Sequence, residues 1–397
     1  MNVPGPTVRT LMNWLVVLSA IACVELPDAS AYEPQTLEIG ASAPAFDLSG
    51  TDGKRYTLAD FSGKLVLVVI FTTNHCPDAI ASYRRMCRMV DHYRDKKVAF
   101  VAINGNDPQA VMLSEMRWTR YDDSYESMKI VADEEEFNLP YLYDGETQEV
   151  TKAYGAVATP HVFIFDKDRR LRYTGRLDNG RRNPELTAKS EARDAIDALL
   201  AGQPVSVEKT RVFGCSMKWS DKRALVAQEE RDWNERPVTL ISADAPVIKQ
   251  LVAESSPALR MISVWSTSCG PCVTEFPALV ETYRRFQNHA FEFITISIDL
   301  PEQQDQVQSF LEEQHAALAS RTERLLKAAG RTTNNFLFTG NDLEELATAI
   351  DPQWTGAQPH TLLISPSGEV LFRQTGTIDI ESLRAAIVKY VRANFLN

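Results

Sequence analysis

Two thiols three residues apart, Cys269 and Cys272, stand between a mostly apolar run, Leu259 to Trp265, and a helix-like pattern, Val273 to Phe286. A strand that hands a Cys-x-x-Cys pair to the start of a helix favours redox chemistry. The helix dipole and its free N–H groups stabilise a thiolate on the first cysteine, and the thiolate is the reactive form. The second cysteine is near enough to close a disulfide across the turn. Two structural cysteines or a metal half-site are the other readings of this spacing. A zinc site takes further ligands, and the sequence has no second Cys pair. The redox reading therefore leads, with no metal and no cofactor expected.

An altered copy lies earlier, at Thr73-Asn74-His75-Cys76, after the valine-rich run Leu65 to Phe71 and before Pro77, which suits a first helical turn. Cys76 takes the place of Cys272, and Thr73 that of Cys269. An imidazolium on His75 would lower the Cys76 thiol pKa further. Plainer readings stand beside these: His75 as a surface or capping residue, Thr73 as a strand end, Cys76 as a buried inert thiol. Cys87 follows Cys76 by eleven residues on the same helical pattern and reads as a core thiol. Cys215 stands in the cluster Phe213 to Trp219, outside the expected elements and without a local partner. We expect it to resolve Cys76 after oxidation.

The elements that must position these thiols repeat. Each half runs strand, helix, strand, helix, strand, strand, helix. Strands are expected at Leu65–Phe71, Val98–Ile103, Val162–Phe165 and Leu171–Tyr173 in the first half. The second half offers Leu259–Trp265, Phe293–Ile298, Thr361–Ile364 and Glu369–Arg373. Pro160 follows Cys76 by 84 residues and Pro359 follows Cys272 by 87. Both prolines precede a histidine and lead into an apolar strand, a turn and a second strand. The fold class is α/β: two tandem domains, each a central mixed β-sheet flanked by helices. The boundaries read as a signal peptide at 1–31, a first domain at 38–201, a connector at 202–235 and a second domain at 236–397.

A length of 397 residues suits two domains. The net charge of −11 argues against a nucleic-acid partner, and six cysteines are too few for a disulfide scaffold. Arg9 precedes the apolar run Leu11 to Cys23, and Ala29-Ser30-Ala31 fits a signal-peptidase site. An uncleaved anchor, or a lipid on Cys23, are the other readings. All three place the body of the protein outside the cytosol, in a bacterial periplasm, where disulfides persist.

Cys269 to Cys272, with Trp265 before and Pro359 after, resembles the thioredoxin fold. With Glu275, Phe276 and Pro277 the pattern is similar to the TlpA-like and ResA-like extracytoplasmic thiol–disulfide oxidoreductases, over about residues 236 to 395. The resemblance implies that Pro359 is a cis-proline against the disulfide and that Glu275 affects thiol ionisation. The first half resembles the peroxiredoxin-like, or redoxin, group related to alkyl hydroperoxide reductases. That resemblance rests on Asn74-His75-Cys76-Pro77, Ile103-Asn104 with Asn106-Asp107, Thr147-Gln148-Glu149-Val150, Ala153-Tyr154-Gly155-Ala156 and Gly214 to Trp219. Thr73-x-x-Cys76 matches the peroxiredoxin form, which implies a threonine hydroxyl on the peroxidatic sulfur. The group's upstream proline is replaced here by Val69.

Together these readings imply an extracytoplasmic disulfide reductase acting through Cys269 and Cys272, with an N-terminal domain that reduces peroxides through Cys76 or, alternatively, only binds a substrate or partner. The partners implied are a protein disulfide or a peroxide and a membrane-linked thiol electron donor.

Overall fold

The computed structural model describes Met1 and residues 32–183, 189–253, 256–340 and 342–395. The N-terminal segment read as a signal, with Cys23 and Ala29-Ser30-Ala31, lies outside the described residues. No described helix is long and apolar enough to cross a membrane.

The valine-rich run forms the centre of the first sheet. Its strands are β1 (Asp47–Gly50), β2 (Arg55–Thr57), β3 (Val66–Phe71), β4 (Val98–Asn104), β5 (Tyr141–Tyr143), β6 (Ala158–Thr159), β7 (His161–Phe165) and β8 (Leu171–Gly175). All but β6 join one sheet in the order β2-β1-β5-β4-β3-β7-β8. β3 runs parallel to β4 and antiparallel to β7. Side chains alternate across a strand, so Val66, Val68 and Ile70 enter one core while Leu67, Val69 and Phe71 enter the other. Burial on both faces is why the run carries no polar residue. The helices are α1 (Pro77–His92), α2 (Tyr125–Glu134), α3 (Glu149–Tyr154) and α4 (Glu191–Leu200).

Residues 202–235, expected to be a connector, are not a free linker. They contain β9 (Cys215–Ser216) and α5 (Arg223–Asn234). β9 pairs antiparallel with β6, Thr159 opposite Cys215. Met217 and Trp219 are buried in the first domain's core, 1% and 4% exposed. Burying two such side chains contributes roughly 1.5–3 kcal/mol each, which anchors the segment as a strap over the first domain.

The second domain repeats the plan with β10 (Ile241–Ala243), α6 (Ala245–Ala253), β11 (Leu259–Trp265), α7 (Gly270–Phe286), β12 (Phe291–Ser297), α8 (Gln304–Glu313), α9 (Ser320–Ala328), β13 (Asn335–Phe338), α10 (Leu343–Ile350), β14 (His360–Ile364), β15 (Val370–Thr375) and α11 (Ile380–Phe395). Its sheet order is β10-β13-β12-β11-β14-β15. β10, α6, α9 and β13 were not expected from the sequence. β13 spans only four residues inside a polar stretch, and its burial comes from parallel pairing with β12 and β10.

The two domains meet at the segment preceding α2. Arg285, at the end of α7, donates to the Arg120 carbonyl (3.0 Å), and Arg392 of α11 donates to the Trp118 carbonyl (2.8 Å). The Trp118 and His289 rings pack edge to face at 5.1 Å.

Candidate active site

In each domain the antiparallel register sets a proline level with the residue four before the cysteine that caps the helix, so Cys76 takes the place of Cys269 rather than of Cys272 as expected, and Thr73 that of Ser266. Phe71 faces His161, so Pro160 lies level with Thr72. Val264 faces His360, so Pro359 lies level with Trp265. Both prolines follow cis peptide bonds, Thr159–Pro160 and Gln358–Pro359.

In the second domain Cys269 is the N-cap of α7, and its sulfur accepts the Cys272 N–H at 3.2 Å. The two cysteines are bonded, with Cα atoms 5.2 Å apart. Cys272 is buried and Cys269 is half-exposed, so an incoming thiol reaches Cys269. Trp265 packs against Phe276 and Phe310 behind the pair, centroids 5.0 and 4.8 Å away. Glu275 lies one turn below Cys272 and is 7% exposed. Burial pushes its carboxyl above the ordinary carboxylate range, partly offset by the Ile378 N–H at 2.9 Å. Its other oxygen, Oε1, is buried without a hydrogen bond among the described residues.

In the first domain Cys76 is the N-cap of α1 and is fully buried. Its thiol donates to the Thr159 carbonyl (3.1 Å), and its sulfur accepts the Cys215 N–H (3.2 Å). Burial would push this thiol up. The Cys215 thiol, the Ala79 N–H and the His75 imidazole outweigh burial and bring it down to about 6. Cys215 is pushed the other way, first by its hydrogen bond to Cys76 and then by burial. The structure thus brings Cys76 and Cys215 together, 139 residues apart in the chain. Gly214 makes this approach possible. Its φ is +141°, and a Cβ there would sit 1.8 Å from the Thr159 carbonyl oxygen. Cys87 is half-buried on α1, and burial raises its thiol pKa.

His75 is neither a surface nor a capping residue. It is 1% exposed, and Nδ1 lies 2.7 Å from the Asp123 carboxylate. Burial would lower its pKa, but the Asp123 charge raises it. Its Nε2 has no hydrogen-bond partner among the described residues. Thr73 departs from expectation. Its hydroxyl lies 2.7 Å from both Asp123 oxygens rather than on the Cys76 sulfur, because a buried carboxylate is the stronger acceptor.

Asp123 was not singled out from the sequence, yet it gathers the site. It also accepts the Asn74 N–H (2.8 Å) and the side-chain amides of Asn106 (2.9 Å) and Asn104 (3.2 Å). Burial opposes its ionisation, but the His75 charge and these hydrogen bonds hold its pKa at about 2. The Ile103-Asn104 and Asn106-Asp107 motifs thereby acquire a physical role. The Asn106 oxygen in turn accepts the Lys218 N–H (2.8 Å), and Gln148 donates to the carbonyls of Gly105 and Lys218 (2.7 and 2.8 Å). These bonds clip the strap onto the site. Among the described residues, no group of three or more His, Cys, Asp or Glu side chains is placed to hold a metal ion.

The AhpC/TSA family model matches residues 39–174 and 253–373, together well over half of the chain. The chain belongs to the AhpC/TSA family. The two matched stretches carry the two cysteine sites, and the AhpC/TSA architecture here is a tandem of thioredoxin-like domains. A curated relative, the thiol-disulfide oxidoreductase ResA of Bacillus cereus, is 25% identical over 154 residues, 39% of this chain and 79% of that protein. Among solved structures, an uncharacterized conserved protein of Geobacillus kaustophilus is 40% identical, covering 48% of this chain and 96% of that one at a TM-score of 0.42. A hypothetical protein of Sinorhizobium meliloti 1021 is 32% identical, covering 47% and 97% at a TM-score of 0.42.

Proposed function

We propose that this AhpC/TSA-family chain is an extracytoplasmic thiol–disulfide oxidoreductase with two centres. Cys269 and Cys272 exchange with protein disulfides. Cys76 reduces peroxides and is resolved by Cys215. The observation that carries the second centre is the Cys76 sulfur, at the N-cap of α1, accepting the Cys215 N–H at 3.2 Å. The Cys215 thiol and the Ala79 N–H bring the Cys76 thiol below its ordinary value against the effect of burial, which favours the reactive thiolate. The Cys76 thiolate would attack a peroxide oxygen, breaking the O–O bond and releasing an alcohol or water as the leaving oxygen takes a proton. The resulting sulfenic acid condenses with the Cys215 thiol to give a disulfide and water.

In the second centre the Cys269 thiolate attacks a substrate disulfide, and Cys272 releases the mixed disulfide. The location outside the cytosol is supported by the N-terminal apolar run and Ala29-Ser30-Ala31. A membrane-linked thiol donor would supply electrons there. The first domain as a non-catalytic binding module is the second reading, favoured by the full burial of Cys76.

Hydrogen peroxide consumption and insulin disulfide reduction, measured on the full chain with Cys76→Ser and Cys269→Ser, test both. Loss of peroxidase in Cys76→Ser and loss of insulin reduction in Cys269→Ser are expected. Wild-type peroxide consumption surviving in Cys76→Ser would remove the first centre.

A further inference from the structure

The loop that carries Asp123 is gripped from outside its own domain. Arg392 and Arg285 of the second domain donate to the carbonyls of Trp118 and Arg120, just ahead of Asp123 in the chain. At the loop's other end Asn74 donates to the Asp122 carbonyl at 2.7 Å. The segment from Trp118 to Asp123 therefore runs from the domain contact into the first site. His289 meets it at the contact. The Trp118 and His289 side chains are buried, 6% and 9% exposed, and their ring centroids lie 5.1 Å apart. The Phe395 ring packs on His289 at 5.2 Å, and the His289 N–H donates to the Phe286 carbonyl at the end of α7 (2.9 Å).

The surroundings of this imidazole suit a neutral ring only. Its Nε2 is buried and has no hydrogen-bond partner among the described residues. The hollow beside it is lined by Leu259, Phe286, Ile387 and Val391, and Tyr390 is the other ionisable side chain in that lining. Burial raises the Tyr390 pKa, so its hydroxyl stays neutral in acid. The charges that act on the ring are guanidinium groups, Arg117 beside Trp118 and Arg321 of α9. The carboxylates of the contact face other partners: Glu135 faces Arg392 at 3.9 Å, Glu281 faces Arg285 at 3.3 Å, and Asp78 faces Arg182 at 3.0 Å. Arg182 and Arg117 stack on Trp118 at 5.8 and 5.7 Å from the ring centroid.

We propose that His289 is a latch through which the second domain holds the Asp123 loop in the first site, and that protonation of His289 releases the loop. The inference is independent of what Cys76 reacts with. A charged ring would leave an N–H without an acceptor in an apolar hollow and set a third positive charge beside two arginines, costs that hydration removes once the contact opens. Burial first, and then the Arg117 and Arg321 charges, bring the His289 pKa down to about 4, although the Arg117 carbonyl favours the charged ring. A free ring titrates near 6.5. The latch is therefore at full strength above about 6.5 and weakens as pH falls towards about 4. The balance between held and released loop moves by about thirtyfold at pH 5. Release loosens the carboxylate that binds His75 and Thr73, so a histidine of one domain positions the site of the other.

Hydrogen exchange of the full chain, read by mass spectrometry at pH 7, 6, 5 and 4.5 and corrected for the intrinsic rate at each pH, tests the latch. Protection of a peptide covering residues 117–124 is expected to drop about thirtyfold between pH 7 and pH 5, while peptides from β3 and β11 keep theirs. His289→Phe and His289→Gln do not titrate and should hold the loop's protection level across that range. Protection of the native loop that stays level with pH would overturn the proposal. So would a drop in both variants that matches the native one, which would assign the release to the Glu135 and Glu281 carboxylates. Loss of protection at pH 7 in both variants would show that a neutral ring is not what holds the loop. A simultaneous loss in β3 and β11 would mean acid unfolding of the whole chain and would overturn the latch as well.

Discussion

Asp123→Asn is the perturbation that asks most of the first site. The carboxylate Oδ1 accepts from the Asn74 N–H and the Asn104 amide, and Oδ2 lies against His75 Nδ1 and accepts from the Asn106 amide. An asparagine of the same shape offers one accepting oxygen and an amide that only donates. Whichever way it is turned, donors face its NH2 group. A buried donor left unpaired costs about 1–3 kcal/mol. Holding Asp123 at about 2 rather than at the ordinary 3.8 is itself worth roughly 2 kcal/mol. These two figures count some of the same hydrogen bonds, so a loss of about 2–4 kcal/mol at pH 7, short of their sum, is expected. The sign with pH follows from the lowered pKa. The charge contribution is fully present above the unfolded value near 3.8 and is lost as pH falls through about 2. The variant should therefore show a flatter acid limb.

The same substitution should act on the sulfur. Burial lowers the His75 pKa, and Asp123 raises it. Without the carboxylate the His75 pKa is expected to fall, and Cys76 loses positive charge that favours its thiolate. Thiolate absorbance at 240 nm, taken as a difference against Cys76→Ser, should give a midpoint near 6 in the native chain. In the variant it should move up by about one pH unit or more, towards the free-thiol value. Denaturant unfolding gives the stability. A midpoint that stays near 6 despite a large stability loss would refute the coupling of carboxylate, imidazole and sulfur. Unchanged stability would refute the hydrogen-bond accounting.

Three other outcomes are expected. Gly214→Ala puts a methyl group against the Thr159 carbonyl and should prevent the Cys76–Cys215 disulfide from forming with peroxide, as read by peptide mapping, while insulin reduction by the second centre persists. Arg392→Ala and Arg285→Ala each remove a charged donor from a backbone carbonyl at the domain contact. Each should cost about 1.5–3 kcal/mol in denaturant unfolding. Glu275 has a raised pKa, so its burial is best tolerated below its unfolded value and penalised as pH rises through its folded one. Glu275→Gln should raise the unfolding midpoint at pH 8 more than at pH 4, and should flatten the pH dependence of Cys269 exchange.

The repeated strand and proline pattern was legible because each part is local, whereas the cysteines were set three residues out of register, since only the strand pairing shows that Cys76 matches Cys269. Apolar runs buried on both faces announce β3 and β11, and Pro77 marks the start of α1. Asp123 was not legible. It lies 47 residues beyond Cys76, in a loop whose only sequence feature is Asp122-Asp123-Ser124 before α2, and its role exists only when β3 and β4 lie side by side. Thr73 was misread for the same reason, since its acceptor arrives from that distant loop. The strap was read as a connector because its two anchoring side chains, Met217 and Trp219, carry no period. β13 was missed because its burial is supplied by neighbours rather than by its length.

One N–H on a sulfur joins chain positions 139 residues apart, beside a two-residue pairing of the strap with β6. A covalent bond between Cys76 and Cys215 would close that long loop and remove much of the freedom of the unfolded chain, an effect of about 4–5 kcal/mol for loops of this size. Oxidation would then harden the first domain against heat, and reduction would soften it. Melting temperature would become a record of how recently the protein had met an oxidant.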